Sequence, residues 1–259
     1  MSKLEDIVNF KNYPIYKREF QDECFDHIRK KSVLILKNFI KENCLNDIQN
    51  EALTLERKAY YCSQKHTVLL KKKDINMIDE DPLNIEVISD KGCVPHDLII
   101  TNSYLNKLYN SSIFKNFLTK VLGIKCIYPY KDNLSSINYN YYQNTQQLGW
   151  HFDNASFAIT LMIQSPDQGG VFEYLDKGRD YNKNYIDKDL IKKVLNNKIK
   201  CKELFVNPGT LILFYGRNYL HRVTPVKSTK SRILVTLNYN EEKDIELSEN
   251  ARLTFFGRK

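Results

Sequence analysis

His151, Phe152 and Asp153 stand together in the second half of the chain, His221 follows far downstream, and Arg232 comes shortly after it. Two imidazoles and one carboxylate on one face of a metal leave the opposite face open. That is the facial arrangement in which proteins present non-haem iron(II) to oxygen. In an extended strand residues i and i+2 point to the same side, so His151 and Asp153 can reach one ion while Phe152 points away. On a helix they would diverge. The tripeptide alone is a weak signal, because the pair could equally be hydrogen-bonded in an ordinary β-core.

A third ligand has to come from elsewhere, and the segment 208–226 supplies a candidate. A Pro208-Gly209 turn, the apolar run Leu211, Ile212, Leu213 and Phe214, a polar turn and then His221 read as a hairpin arm returning the histidine to the first strand. Arg232 opens the next apolar run. A fixed cation at a strand mouth near a metal can pair bidentately with a carboxylate. The obvious one is the distal carboxylate of 2-oxoglutarate, whose 2-oxo acid end would chelate the iron.

The paired ligands, the distant histidine and the following arginine resemble the signature of the iron(II)/2-oxoglutarate-dependent oxygenases. The likeness goes further in Leu148-Gly149-Trp150-His151-Phe152-Asp153, in 157–164, in Gly169-Gly170-Val171-Phe172-Glu173-Tyr174, in 208–226 and in Thr254-Phe255-Phe256-Gly257-Arg258. Upstream, Leu108-Tyr109, Phe117-Leu118, Val121-Leu122-Gly123 and Tyr128-Pro129-Tyr130 fit as well. From about Asn102 onward the chain is similar to the family of BesD-type free-lysine halogenases and their hydroxylase relatives. The resemblance implies a mainly β fold with flanking helices, built on a double-stranded β-helix (jelly-roll, cupin-like) oxygenase core. It implies iron(II) held by His151, Asp153 and His221, which are then the catalytic centre, with 2-oxoglutarate and O2 as cosubstrates. In the halogenases a small residue replaces the carboxylate ligand and chloride takes the vacated position, so Asp153 implies the hydroxylase branch and oxidative decarboxylation of 2-oxoglutarate to succinate.

Arg232, Thr160 and Tyr139 are the candidate 2-oxoglutarate contacts. Thr160 could equally be a satisfied core hydroxyl. In the strand-like stretch 135–142, Asn138, Asn140 and Tyr142 share one face while Tyr139 and Tyr141 share the other. Polar groups on both faces suit a strand at an edge or beside a polar cavity. The substrate implied by the resemblance is a free amino acid, lysine or ornithine, with Trp150, Asn154 and Glu173 as candidate contacts and Asp176 beside them. A peptide or protein side-chain hydroxylase would share the metal and cosubstrate residues but need an open groove. A nucleic-acid demethylase would need a basic channel.

The formal net charge is +8 at pH 7. The lysines are nevertheless spread among acids and asparagines, and the one dense cluster is Lys71-Lys72-Lys73, so the charge reads as solvated surface and no nucleic-acid partner is expected. His27, His66 and His96 are not read as ligands, although His96 could line the substrate pocket. Six cysteines lie scattered without a C-x-x-C pair, which argues against a zinc site or a disulfide framework. No segment approaches the ~18 apolar residues of a membrane span, and the start lacks a signal-peptide apolar region. A cytoplasmic enzyme without a membrane partner is the expectation.

The 259 residues, 42% of them hydrophobic, suit one integrated domain. Residues 1–125 read as a mostly helical part that braces the core, with one short strand at Val33-Leu34-Ile35-Leu36. Apolar residues at helical spacing from Leu105 to Leu122 predict a helix that Gly123 would end. Residues 126–259 read as the double-stranded β-helix catalytic core, interrupted by a charged amphipathic helix at 186–195.

Overall fold

The computed structural model describes residues 3–259. In chain order the elements are α1 (Leu4–Ile7), α2 (Arg18–Lys31), β1 (Val33–Leu36), α3 (Glu42–Leu55), β2 (Tyr60–His66), β3 (Val87–Val94), α4 (Tyr104–Asn110), α5 (Ser112–Leu122), β4 (Ile137–Tyr142), β5 (Leu148–His151), β6 (Ala158–Gln164), β7 (Phe172–Asp180), β8 (Tyr185–Ile186), α6 (Lys188–Leu195), β9 (Lys202–Leu204), β10 (Leu211–Phe214), β11 (Tyr219–Val223), β12 (Arg232–Leu237) and α7 (Glu249–Phe256). The strands form a seven-stranded sheet in the order β1-β10-β6-β12-β4-β3-β2 and a five-stranded sheet β5-β11-β7-β8 with β9 on β7. The named strand pairs are antiparallel. Two such sheets face to face make the jelly-roll core, mainly β with flanking helices.

Alternation along the large sheet separates two environments. Ile137, Tyr139 and Tyr141 of β4, Ile159, Leu161 and Ile163 of β6, and Ile233, Val235 and Leu237 of β12 join α2 to α5 in the main apolar core. The opposite faces of the same strands carry Asn140, Tyr142, Thr160, Arg232 and Thr236 and turn toward a cavity between the sheets. A smaller cluster of Trp150, Phe152, Leu175 and Leu220 packs on Ile191 and Val194 of α6, outside the five-stranded sheet. The period-2 pattern therefore sets the polar cavity as well as the hydrophobic layers.

Several sequence expectations meet local corrections. The apolar periodicity from Leu105 to Leu122 is divided between α4 and α5, because the Ser111 hydroxyl accepts the Phe114 N–H and starts a second helix. Gly123, at φ 68°, ends α5 as expected. Asp187 caps α6 by accepting the Leu190 N–H, so that helix starts at Lys188. The larger difference lies in the N-terminal part, which does more than brace. It contributes β1, paired with β10, and the long hairpin β2–β3, paired with β4. Among the described residues no helix is long and apolar enough to cross a membrane.

Candidate metal centre and its cavity

β5 and β11 run antiparallel with His151 directly opposite His221. The ring centroids are 4.1 Å apart. Beyond the end of β5 the chain stays extended, tied by Phe152 N–H to the Val68 carbonyl and Asp153 N–H to the Gly216 carbonyl. Phe152 enters the outer apolar cluster and Asp153 turns inward, as the i, i+2 rule requires. Asp153 Oδ1 lies 3.4 Å from His151 Nε2 and 3.5 Å from His221 Nε2. Ligand atoms of the three residues all fall within 4.8 Å of one another, and they form the one such group of histidine, cysteine and acidic side chains found among the described residues.

The tautomers are set by the backbone. His151 Nδ1 is 2.8 Å from the Gly149 carbonyl and His221 Nδ1 is 2.8 Å from the Tyr219 carbonyl. A carbonyl only accepts, so each Nδ1 carries a proton, and Nε2 is the nitrogen each ring has left to offer a metal in the shared space. Burial alone would raise the Asp153 carboxyl, but the His221 and His151 imidazoles together outweigh it and hold it well below the usual carboxylate range. His151 is pushed down, first by burial and then by His221. Asp153 Oδ2 is buried without a hydrogen-bond partner. Two imidazole Nε2 atoms and one ionised carboxylate, one of whose oxygens is orphaned, are a donor set that fits iron(II).

Behind His151 a chain of bonds fixes the strand. Gly149 N–H donates to Ser89 Oγ, the Ser89 hydroxyl donates to His66 Nε2, and His66 Nδ1–H donates to the Thr67 carbonyl. His66, which the sequence placed in a lysine-rich turn region, supports the strand through this chain and also lines the cavity. Gly216 is a second support that the sequence reading passed over. A side-chain carbon there would overlap Asp153 Oδ2 and stand 3.0 Å from His221 Cε1. Gly216→Ala is expected to displace the carboxylate and weaken iron(II) binding about 10- to 100-fold, the usual cost of losing a residue that orients a ligand. Anaerobic iron titration of the two proteins checks it; equal affinity would mean that Asp153 does not bind the ion.

Arg232 starts β12 opposite Tyr142 and is 2% exposed. Its Nε donates to the Gly170 carbonyl at 3.1 Å, and its guanidinium lies 5.3 Å from the Tyr142 ring centre. Gly170 has φ 61°, and a side chain there would meet Arg232 Cδ at 3.0 Å, so the Gly169-Gly170 turn is shaped to hold the arginine. Arg232 Nη1 is buried and unbonded. A buried cation with a free N–H can receive an anion that arrives from outside the chain.

The cavity has a volume of about 940 Å³ and contains His151, Asp153, His221, Arg232, Thr160 and Asn154 in its lining. Tyr139 is a correction. Its hydroxyl donates to Glu51 Oε2 at 2.7 Å on the helical side of the sheet, because it alternates with the cavity-facing Asn140. Tyr142 takes the inward place instead. Trp150 and Glu173 are likewise turned away. Arg222 bonds Glu173 at 2.7 Å and lies 4.7 Å from the Trp150 ring centre, on the outer side of the small sheet. Asp176 pairs with Lys202 near the surface. His96 bonds Asn106 and lies outside the cavity lining. Lys91, Asn140, Tyr142 and the α7 residues Asn250, Thr254 and Phe255 are among the cavity residues not singled out as contacts from the sequence. For Asn140 and Tyr142 the signal was the polar face of β4.

A family model described as Halogenase D matches residues 16–254. The chain belongs to that family. The matched stretch takes in α2 to α5 and the jelly roll, with His151, Asp153, His221 and Arg232 inside it. No curated protein matches the sequence. Among solved structures, an oxidoreductase of the 2OG-Fe(II) oxygenase family from Burkholderia pseudomallei is similar with TM-score 0.53 and 13% identity, over 87% of this chain and 93% of that one. A prolyl hydroxylase from Trichoplax adhaerens, in complex with a hypoxia inducible factor peptide fragment, gives TM-score 0.56 and 13% identity over 89% and 92%. SnoN, a non-heme alpha ketoglutarate dependent epimerase from nogalamycin biosynthesis, gives 0.58 and 7% over 86% and 81%. At these identities the likeness establishes the shared fold, and the Halogenase D match carries the family.

Proposed function

We propose that this protein is an iron(II)- and 2-oxoglutarate-dependent hydroxylase acting on an unactivated C–H bond of a small molecule, a free amino acid, within the cavity. The observation that carries the reading is the Asp153 carboxylate beside the two histidine Nε2 atoms. It fills the position that the resembling halogenases leave for chloride. Iron bound there supplies oxygen activation coupled to decarboxylation of 2-oxoglutarate. The chain's own residues do the positioning: His151, Asp153 and His221 hold the ion through one face, and Arg232 with Thr160 receives 2-oxoglutarate. The sheets keep bulk water from the centre, where His151 and His221 are each 4% exposed.

Purified protein loaded anaerobically with iron(II) and 2-oxoglutarate, then given oxygen and a panel of free amino acids, tests the proposal. Succinate formation should need both iron and 2-oxoglutarate and should accelerate with the correct amino acid. Succinate that no free amino acid accelerates would move the substrate to a peptide, the second reading that the same metal and cosubstrate residues allow. The resemblance points to lysine or ornithine within the amino acids. An amino acid's α-carboxylate would find cations in this cavity; its side chain raises a further question.

A further inference from the structure

The cavity lining is unbalanced in charge. Lys65, Lys71, Lys72, Lys91 and Arg232 line it, while Asp153 is the one acidic side chain among the described residues that does so. Asp153 is already committed to the metal cluster. None of the four lysines has an ion pair among those found in the described residues, unlike nearby Lys73, which pairs with Asp79 at 2.9 Å. Lys65, Lys71 and Lys72 are exposed, whereas Lys91 reaches the interior from β3. Its Nζ donates to the neutral Asn140 Oδ1 at 2.6 Å and lies 5.5 Å from the ring centre of Phe255 on α7.

The charges of the reaction components sharpen the point. When iron(II) and 2-oxoglutarate are bound, the dication, the dianion, the Asp153 carboxylate and the Arg232 guanidinium cancel. Lys91 is then left as an uncompensated cation in the cavity, with three more lysines at its mouth. Burial by itself would lower the Lys91 pKa, but Tyr142, Cys93, Cys62 and Asp153 around it outweigh that and keep it raised. A lysine or ornithine side chain would bring another ammonium into this setting and find no carboxylate to receive it. Glu173 and Asp176, the acids that could have done so, are tied to Arg222 and Lys202 outside the cavity.

Resting on the hydroxylase reading, we infer that the substrate is an anionic small molecule, an amino acid whose side chain carries a carboxylate or phosphate, and that Lys91 binds that group. Asn140 and Phe255 hold the ammonium in place from two sides. Lys65, Lys71 and Lys72 draw the anion toward the mouth. Lys91 is then the residue that sets specificity, and Arg232 is left for the cosubstrate.

The test is calorimetric binding of glutamate, O-phosphoserine and lysine to the anaerobic protein loaded with iron(II) and 2-oxoglutarate, repeated with Lys91→Gln and Lys91→Arg. At least one of the two anions should bind about tenfold or more tightly than lysine. Lys91→Gln should weaken that binding about 10- to 100-fold, the share of one charge-assisted hydrogen bond, and Lys91→Arg should restore most of it. Affinity for 2-oxoglutarate should stay within about twofold, which a collapsed fold would not allow. Equal or tighter binding of lysine, or unchanged anion binding in Lys91→Gln, would overturn the inference. So would a loss of 2-oxoglutarate affinity in place of anion affinity, since Lys91 would then serve the cosubstrate. Failure of the hydroxylase reading itself shows at an earlier step, as iron-loaded protein that takes up no 2-oxoglutarate before any amino acid is added; that result removes both conclusions.

Discussion

Asp153→Gly is expected to lower hydroxylation by more than about a hundredfold, because even the loss of a residue that merely orients a metal ligand costs 10- to 100-fold. His221→Ala should do the same and lose iron along with turnover. The two variants differ in what they leave behind. Without His221 the ion keeps one imidazole and one carboxylate on the same strand end. Without Asp153 it keeps the two facing imidazoles, each still oriented by its backbone carbonyl, and gains an open position next to Gly216. That is the arrangement of the halogenases the sequence resembles. Iron titration and product mass in chloride buffer read both effects. A chlorinated product would show that Asp153 alone selects the reaction, and an unmodified substrate would show that the surroundings contribute. Hydroxylation at the wild-type rate in either variant would remove that residue from the ligand set.

Arg232→Met is expected to weaken 2-oxoglutarate by a factor on the order of 10² to 10³ while leaving thermal stability unchanged or improved. Removing one partner of a buried ion pair costs about 3–5 kcal/mol. In the free protein, however, the guanidinium has no carboxylate partner; it has one bond to the Gly170 carbonyl, the Tyr142 ring nearby, and a buried Nη1 without a partner. Burial lowers its pKa, with Tyr142 opposing. An apolar side chain of similar length relieves that desolvation. A variant that loses stability in proportion to its loss of 2-oxoglutarate affinity would make Arg232 a structural residue. The paired measurement is a melting curve of the free protein beside a 2-oxoglutarate titration of the iron-loaded protein.

The metal centre was legible in the sequence because its residues obey simple periodicities. His151 and Asp153 are two positions apart on extended chain, and His221 ends an apolar-to-polar hairpin arm that had to return to the first strand. Arg232 was legible as a charge at the start of an otherwise apolar run. Tyr139 was misplaced by one position: the polar face of 135–142 was visible, and Asn140 and Tyr142 on it turn inward, while Tyr139 belongs to the apolar face that packs on α3. Trp150 and Glu173 flank inward-facing positions, and the alternation that selects His151 and Phe172 sends them outward. The strands β2 and β3 were not visible because neither carries a sustained apolar stripe: Ser63, Gln64, Lys65 and His66 run together in β2, and Ser89, Asp90 and Lys91 interrupt β3. Lys91 was hidden with them. The need for glycine at 216 depends on a contact between segments far apart in the chain, which spacing does not encode.

The measurement that tests the central claim most directly is turnover under isotopically heavy oxygen gas, with succinate and the modified substrate analysed by mass. One labelled oxygen atom in each succinate, formed in step with a product heavier by a single oxygen atom, is the predicted result. A product carrying chlorine with Asp153 in place, or an iron-loaded protein that leaves 2-oxoglutarate unconsumed across the whole panel, would contradict the account.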